Sequence, residues 1–266
     1  MGIVQSNGLG NKAESTCEYI VAGHSHIFAL GAEFSYSGPV ALAPITLSNR
    51  LGFFLMEPWG AGRGKPYWDA LVEYGRERAV VLMFHGNQHY ANFLLSSEPP
   101  FDFVDASDMD EVSYHEAVLV PRSLIKASPK LVPGGLTENV GRLLSVGCPA
   151  VFVAGTPPVR DDYGDYVDEL RKDTMWRGIG ERLGVDISNC PFTPPRVMKK
   201  LWRVMQEIQE DLALAAGATY IPVPPDAVDP KGYLAAACRG PLWNFTHANE
   251  EYGRMMLRQI EGAIYS

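Results

Sequence analysis

The sequence predicts one α/β domain, a five-stranded parallel sheet with helices on both faces in a three-layer α/β/α sandwich. Two observations carry that expectation. Short runs that are apolar throughout, rich in β-branched and aromatic residues, recur along the chain, as parallel strands buried on both faces do. Between them lie segments whose apolar residues repeat at helical spacing. With 266 residues and 46% hydrophobic content, the chain can build one large core and is marginal for two domains.

Residues 1–16, MGIVQSNGLGNKAEST, are polar and Gly-rich and read as a flexible leader rather than a signal peptide. They also match the short M-G-x-x-x-S acylation pattern. A single domain is expected over 17–266. Its strand candidates are EYIVA (18–22), PVALAPITL (39–47), VVLMF (80–84), AVFVA (150–154) and YIPV (220–223). Helices are expected at PYWDALVEYGRERA (66–79), opening on a proline, and at LTENVGRLLSV (136–146). The strongest helical stripe is 194–217, with Val197, Leu201, Val204, Met205, Ile208 and Leu212 on one face and Gly217 as a stop. A last helix over 248–264 takes Asn249 as N-cap and carries Glu250 and Glu251 in its first turn. The stretches 86–115 and 155–195 are long and poorly periodic, and read as lid-like insertions.

Composition excludes several functions. A net charge of −8 and the lack of any Lys/Arg cluster argue against a nucleic-acid partner. Lys199-Lys200 falls on an amphipathic helix and is expected on its solvated face. Cys17, Cys148, Cys190 and Cys238 are widely separated, without CxxC or zinc-type spacing, which favours reduced thiols and a cytoplasmic protein. No apolar run reaches 18 residues, so no membrane association is expected.

In an open α/β sheet, ligands bind beyond the carboxyl ends of the strands, here just after residues 22, 47, 84, 154 and 223. Gly23-His24-Ser25-His26 follows the first strand and FHGNQHY, with His85, Asn87 and His89, follows the third. WNFTHANEEYG, with Asn244 and His247, precedes the last helix. A serine, an asparagine and a histidine thus meet at one edge. A hydroxyl becomes a useful nucleophile when an imidazole takes its proton, and an Asn amide with backbone N–H groups can hold the oxyanion that forms. The histidines leave a second reading open, a metal site of His24, His26, His85 and His89. HxH on a strand-to-helix turn points its rings apart, and no carboxylate or cysteine supplements them in sequence. Pocket-lining roles are therefore expected for His24, His26 and His89.

The order of these motifs resembles the SGNH (GDSL-type) esterase superfamily, of which this chain would be a divergent member. VAGHSHIFAL matches the strand and Gly-Asp-Ser block with Ser25 as nucleophile, FHGNQHY offers Asn87 in the Gly-x-Asn-Asp block, and NFTHANEEYGRMM matches the Asp-x-x-His block with His247. The second block, a glycine whose N–H faces the oxyanion, falls in WGAGRGKPYW, with Gly62 favoured over Gly60 and Gly64. The resemblance spans residues 18–264 and implies a flavodoxin-like fold, no cofactor, and hydrolysis of a small or carbohydrate-linked ester through an acyl-enzyme. Tyr163, Tyr166, Trp176 and aspartates 161, 162 and 165 are expected in a lid over the substrate, with Tyr163 contacting it. Two positions depart from the pattern: His24 stands where the family has Asp, and Asn244 stands where it has the triad acid. The second leaves a weakened, ligand-binding relative open, because a neutral amide can fix a tautomer but adds no charge.

Overall fold

The computed structural model describes residues 17–59, 64–84, 86–95, 99–105 and 117–266. Its central sheet has six strands: β1 (Tyr19–Gly23), β2 (Ala41–Pro44), β3 (Gly52–Met56), β4 (Ala79–Met83), β7 (Val151–Ala154) and β8 (Thr219–Ile221), in the order β2-β3-β1-β4-β7-β8. A separate parallel pair, β5 (Phe101–Asp102) and β6 (Val118–Leu119), lies outside it. All pairings in the main sheet are parallel except β2 against β3. The sheet therefore has six strands rather than the expected five, and one of its parallel strands is not where the sequence suggested. The 39–47 run supplies only the antiparallel edge strand β2, which accommodates Pro44 because an edge can spare an N–H. The parallel strand is β3, a segment not among the expected strands. A Cβ at its Gly52 would overlap the ring of Tyr19 on β1, so the glycine permits close strand contact.

Strand geometry sends alternate residues to opposite faces, and each face builds its own core. Tyr19, Val21, Phe54, Val81 and Met83 face the last helix, α8 (Glu250–Ile264), through its Tyr252, Met256, Leu257 and Ile260. Ile20, Ala22, Phe53, Val80 and Leu82 face α1 (Lys65–Tyr74) and α4 (Leu136–Ser145). The N-cap of α8 is the expected one: Asn249 accepts from the amides of Glu251 and Tyr252. The long helix is α7 (Pro195–Ala215).

The described parts of the two stretches expected as lid-like insertions contain packed structure. They hold α2 (Gln88–Phe93), α5 (Val167–Leu170) and α6 (Thr174–Leu183), and α3 (Arg122–Lys126) follows the first of them. Tyr90, Leu94, Phe103, Tyr163, Leu170 and Trp176 join Val197, Leu201 and Met205 of α7 in a further core beside the sheet. This core also corrects the reading of Lys199 and Lys200, both of which are buried. Lys200 Nζ donates to Asp102 Oδ1 at 3.0 Å and to Phe103 O at 2.9 Å, and Lys199 Nζ donates to Lys231 O at 2.9 Å. The acceptors come from distant segments, so helical periodicity alone cannot place these cations. All four cysteines are buried free thiols. Among the described residues, no helix is long and apolar enough to cross a membrane.

Candidate active site

The chain leaves β1 at Gly23, whose amide donates to Tyr67 Oη at 3.2 Å, and Tyr67 in turn donates to Leu55 O on β3. A Cβ at Gly23 would sit 2.6 Å from Met83 O, so only glycine lets β1 end against β4 in this way. The chain then turns into a 3-10 helix, Ser25–Leu30. Helix α8 holds this turn from behind. Gly253 lies so close to Ala29 O that a side chain there would overlap the carbonyl.

On the other side, the segment before α8 is anchored by polar contacts. The side-chain amide of Asn249 donates to Ala237 O at 2.8 Å and to Arg239 O at 3.1 Å. Arg239 pairs with Asp161 at 2.8 Å, while Arg160 grips Asp162 and donates to Gly240 O at 2.6 Å. Asp161 and Asp162 thus tie down the segment that carries Asn244 and His247, rather than forming the expected lid. The Asp162 carboxyl is held below its ordinary pKa, chiefly by the Arg160 guanidinium.

These anchors bring two remote segments into line. Ser25 Oγ lies 2.6 Å from His247 Nε2, and Asn244 Oδ1 lies 2.6 Å from His247 Nδ1. The Asn244 oxygen can only accept, so it selects the tautomer with the proton on Nδ1 and leaves Nε2 free to accept from Ser25. Thr246 Oγ1 stands 3.1 Å from the same Nδ1, a contact the sequence motif does not signal. Asn87, at the start of α2, places its side-chain amide nitrogen 3.4 Å from His247 Nε2. Burial lowers the His247 pKa to about 4, so the ring is neutral in the resting site. Among the described residues, no carboxylate takes the triad's third place.

The cleft over Ser25 has a volume of about 230 Å³ and is lined by His24, His26, Asn87, Gln88 and Asn92, with Gly86 and Ala91. No Lys, Arg, Asp or Glu is among the described residues lining it. His24 is exposed at the rim, its ring 5.1 Å from Phe84 in an edge-to-face arrangement. His26 is buried, its ring 5.1 Å from that of His247, and among the described residues neither ring nitrogen has a hydrogen-bond partner. Burial holds its pKa well below the ordinary value. Gly86 is required beside it, since a Cβ there would overlap the His26 imidazole.

Two expected pocket residues lie elsewhere. His89 is buried with its ring 4.3 Å from Tyr90, and burial lowers its pKa to about 3. Tyr163 sits in the second core against Tyr90 and Phe245, its hydroxyl donating to Thr193 O. Neither residue lines the cleft, because α2 and the 163–166 turn direct these rings inward. Gly62 and His85 lie outside the described residues. Among the described residues, no three His, Cys, Asp or Glu side chains are grouped as metal ligands would be.

No protein-family model matches the chain, and no curated protein matches it in sequence. Among solved structures, it is similar to LAE5, an alpha/beta hydrolase enzyme from the metagenome of Lake Arreo, Spain. That likeness has a TM-score of 0.43 and 12% identity, over 94% of this chain and 95% of that one. A second solved structure is similar at a TM-score of 0.44 and 11% identity, over 93% and 97% of the two chains.

Proposed function

We propose that this protein is a serine hydrolase of the SGNH type, cleaving a small or carbohydrate-linked ester through an acyl-enzyme on Ser25. One observation carries the reading: a serine, an imidazole and an acceptor amide from two remote segments stand in hydrogen-bonded sequence, at 2.6 Å and 2.6 Å, at the carboxyl edge of a parallel sheet. The parallel strands run 2-1-3-4-5 when counted among themselves, the order of flavodoxin-like sheets. Ser25 follows the first of them and Asn87 the third, on either side of the switch point where such sheets bind ligands.

The chemistry follows from the positions. Ser25 Oγ attacks the ester carbonyl carbon and gives its proton to His247 Nε2, while the carbonyl electrons move to oxygen. The proposed donors to that oxyanion are the side-chain amide of Asn87, the Ser25 backbone N–H and the Gly62 N–H. Collapse expels the alcohol, which leaves with the proton from His247. Water then enters, loses a proton to Nε2 and attacks the acyl carbon. Ser25 departs with that proton, restoring the site. No cofactor is needed for either half.

The test is hydrolysis of p-nitrophenyl acetate by wild type and by Ser25→Ala. The variant is expected to lose at least about 10³-fold in kcat, as loss of an activated nucleophile does. Full retention of activity would overturn the serine mechanism.

A further inference from the structure

The 3-10 turn that presents Ser25 has a consequence one turn further along. In this helix type, side chains three residues apart eclipse one another. Burial along Ser25–Leu30 follows that period: His26, Ile27, Ala29 and Leu30 are buried, while Ser25 and Phe28 remain partly open. Phe28 therefore shares the nucleophile's face, about 6 Å along the axis. Two further rings extend from it. Phe34 lies 4.8 Å and Trp59 lies 5.6 Å from Phe28, and the Phe34 and Trp59 rings are 4.4 Å apart and inclined by 32°. Both outer rings face solvent, with Phe34 52% and Trp59 58% exposed. The Trp59 amide is fixed by the carbonyl of Tyr36 at 2.8 Å.

We propose that Phe28, Phe34 and Trp59 form a stacking platform for the sugar ring of an uncharged O-acylated sugar, holding its ester against Ser25. The proposal rests on the hydrolase reading and deepens it by naming the alcohol side of the substrate. Three features select that class. Open aromatic faces carry negative charge density that attracts the C–H face of a sugar ring. The adjoining cleft is lined by His24, His26, Asn87, Gln88 and Asn92, and no described Lys, Arg, Asp or Glu side chain lines it. Among the described residues, Gln88 Oε1 and Asn87 Oδ1, on two of the residues that line it, have no hydrogen-bond partner. An anionic lipid surface fits less well, because Glu33 precedes Phe34 and the chain carries a net charge of −8.

The experiment compares an acetylated methyl xyloside with ethyl acetate, using wild type, Trp59→Ala, Phe34→Ala and Trp59→Phe. Trp59→Ala is expected to raise KM for the sugar ester roughly tenfold, the size of one aromatic contact, with kcat nearly unchanged. Ethyl acetate kinetics should not move, and Trp59→Phe should restore most of the sugar affinity. Equal effects on both esters, or none on either, would overturn the platform. Calorimetric binding of the acetylated xyloside to Ser25→Ala, with and without Trp59→Ala, separates the two claims. Trp59-dependent binding by a protein that hydrolyses neither ester would keep the platform and remove the hydrolase reading. Hydrolysis of the sugar ester with a Trp59-independent KM would do the reverse. Thermal melts check that the variants are folded, as expected for side chains this exposed.

Discussion

At the residue scale, Asn244 sets the character of the site. It orients His247 through Nδ1, yet it cannot stabilise the imidazolium as a carboxylate would. With burial lowering the imidazole to about pKa 4, the base form persists into acid, so the acid limb of kcat/KM is expected near pH 4. Asn244→Asp places an opposite charge on Nδ1 and should raise that pKa by about 1–3 units, moving the limb upward and increasing the plateau rate. A pH–rate profile of both forms checks this, and an unmoved limb would mean that another group titrates there. Asn87→Ala should lower kcat by about 10²–10³ with little change in KM, if its amide acts only on the oxyanion. Steady-state kinetics on one ester would show the split. The serine, Asn87 and the Asn244–His247 pair were legible in the sequence because each follows or precedes a strongly patterned element. Thr246 and Gly86 were not, since their relevance depends on which way a neighbouring ring turns. The misplacement of His89 and Tyr163 has the same origin: proximity in sequence to a strand end does not decide whether an aromatic ring faces the cleft or the core.

At the element scale, the site depends on how α8 meets the 3-10 turn. Gly253 is the contact point, and it never touches the proposed reacting atoms. Gly253→Ala would force the helix and the turn apart, costing on the order of 1–3 kcal/mol as overpacking does. Ester hydrolysis should fall together with the melting temperature, measured by thermal melt and kcat on the same preparation. A stable variant of low activity would place the damage in the alignment of Ser25 with His247 alone. The helices were the most legible part of the fold. Asn249 caps α8 as its sequence suggests, and the long stripe from Val197 becomes α7. Strand β3 was not legible, because its Gly52 serves the ring of Tyr19 on a neighbouring strand, a contact with no local signal. The 155–195 region hid its helices because its apolar residues, Tyr163, Leu170 and Trp176, pack against α7 rather than along one repeating stripe.

At the scale of the whole molecule, two buried imidazoles couple folding to pH. His26 and His89 are 3% and 1% exposed, and burial depresses both pKa values, that of His89 to about 3. The unfolded chain binds these protons near pH 6.5, whereas the folded chain resists them. Their contribution to stability is therefore complete above about pH 6.5 and is lost as pH falls toward the folded pKa values. His89→Leu should remove about 2 kcal/mol of the stability difference between pH 7 and pH 5. Urea unfolding at the two pH values measures it, and an unchanged difference would mean that His89 is protonated in the fold. Lys200 belongs to this scale as well, because its partner Asp102 lies 98 positions earlier and no local pattern announces a buried ion pair. Lys200→Met should cost about 3–5 kcal/mol by removing the buried cation 3.0 Å from that carboxylate, which keeps the Phe103 amide and the Arg196 guanidinium at 3.8 Å, and the loss is read as a lowered urea midpoint.

The convergence of Ser25 and His247 across 222 positions is the central claim, and covalent labelling tests it most directly. A fluorophosphonate should add one phosphonyl group to the intact protein, mapped by peptide mass spectrometry to Ser25. Ser25→Ala should abolish the label and His247→Ala should slow it strongly. An ester-hydrolysing preparation that takes up no label, or takes it on another residue, would contradict the account.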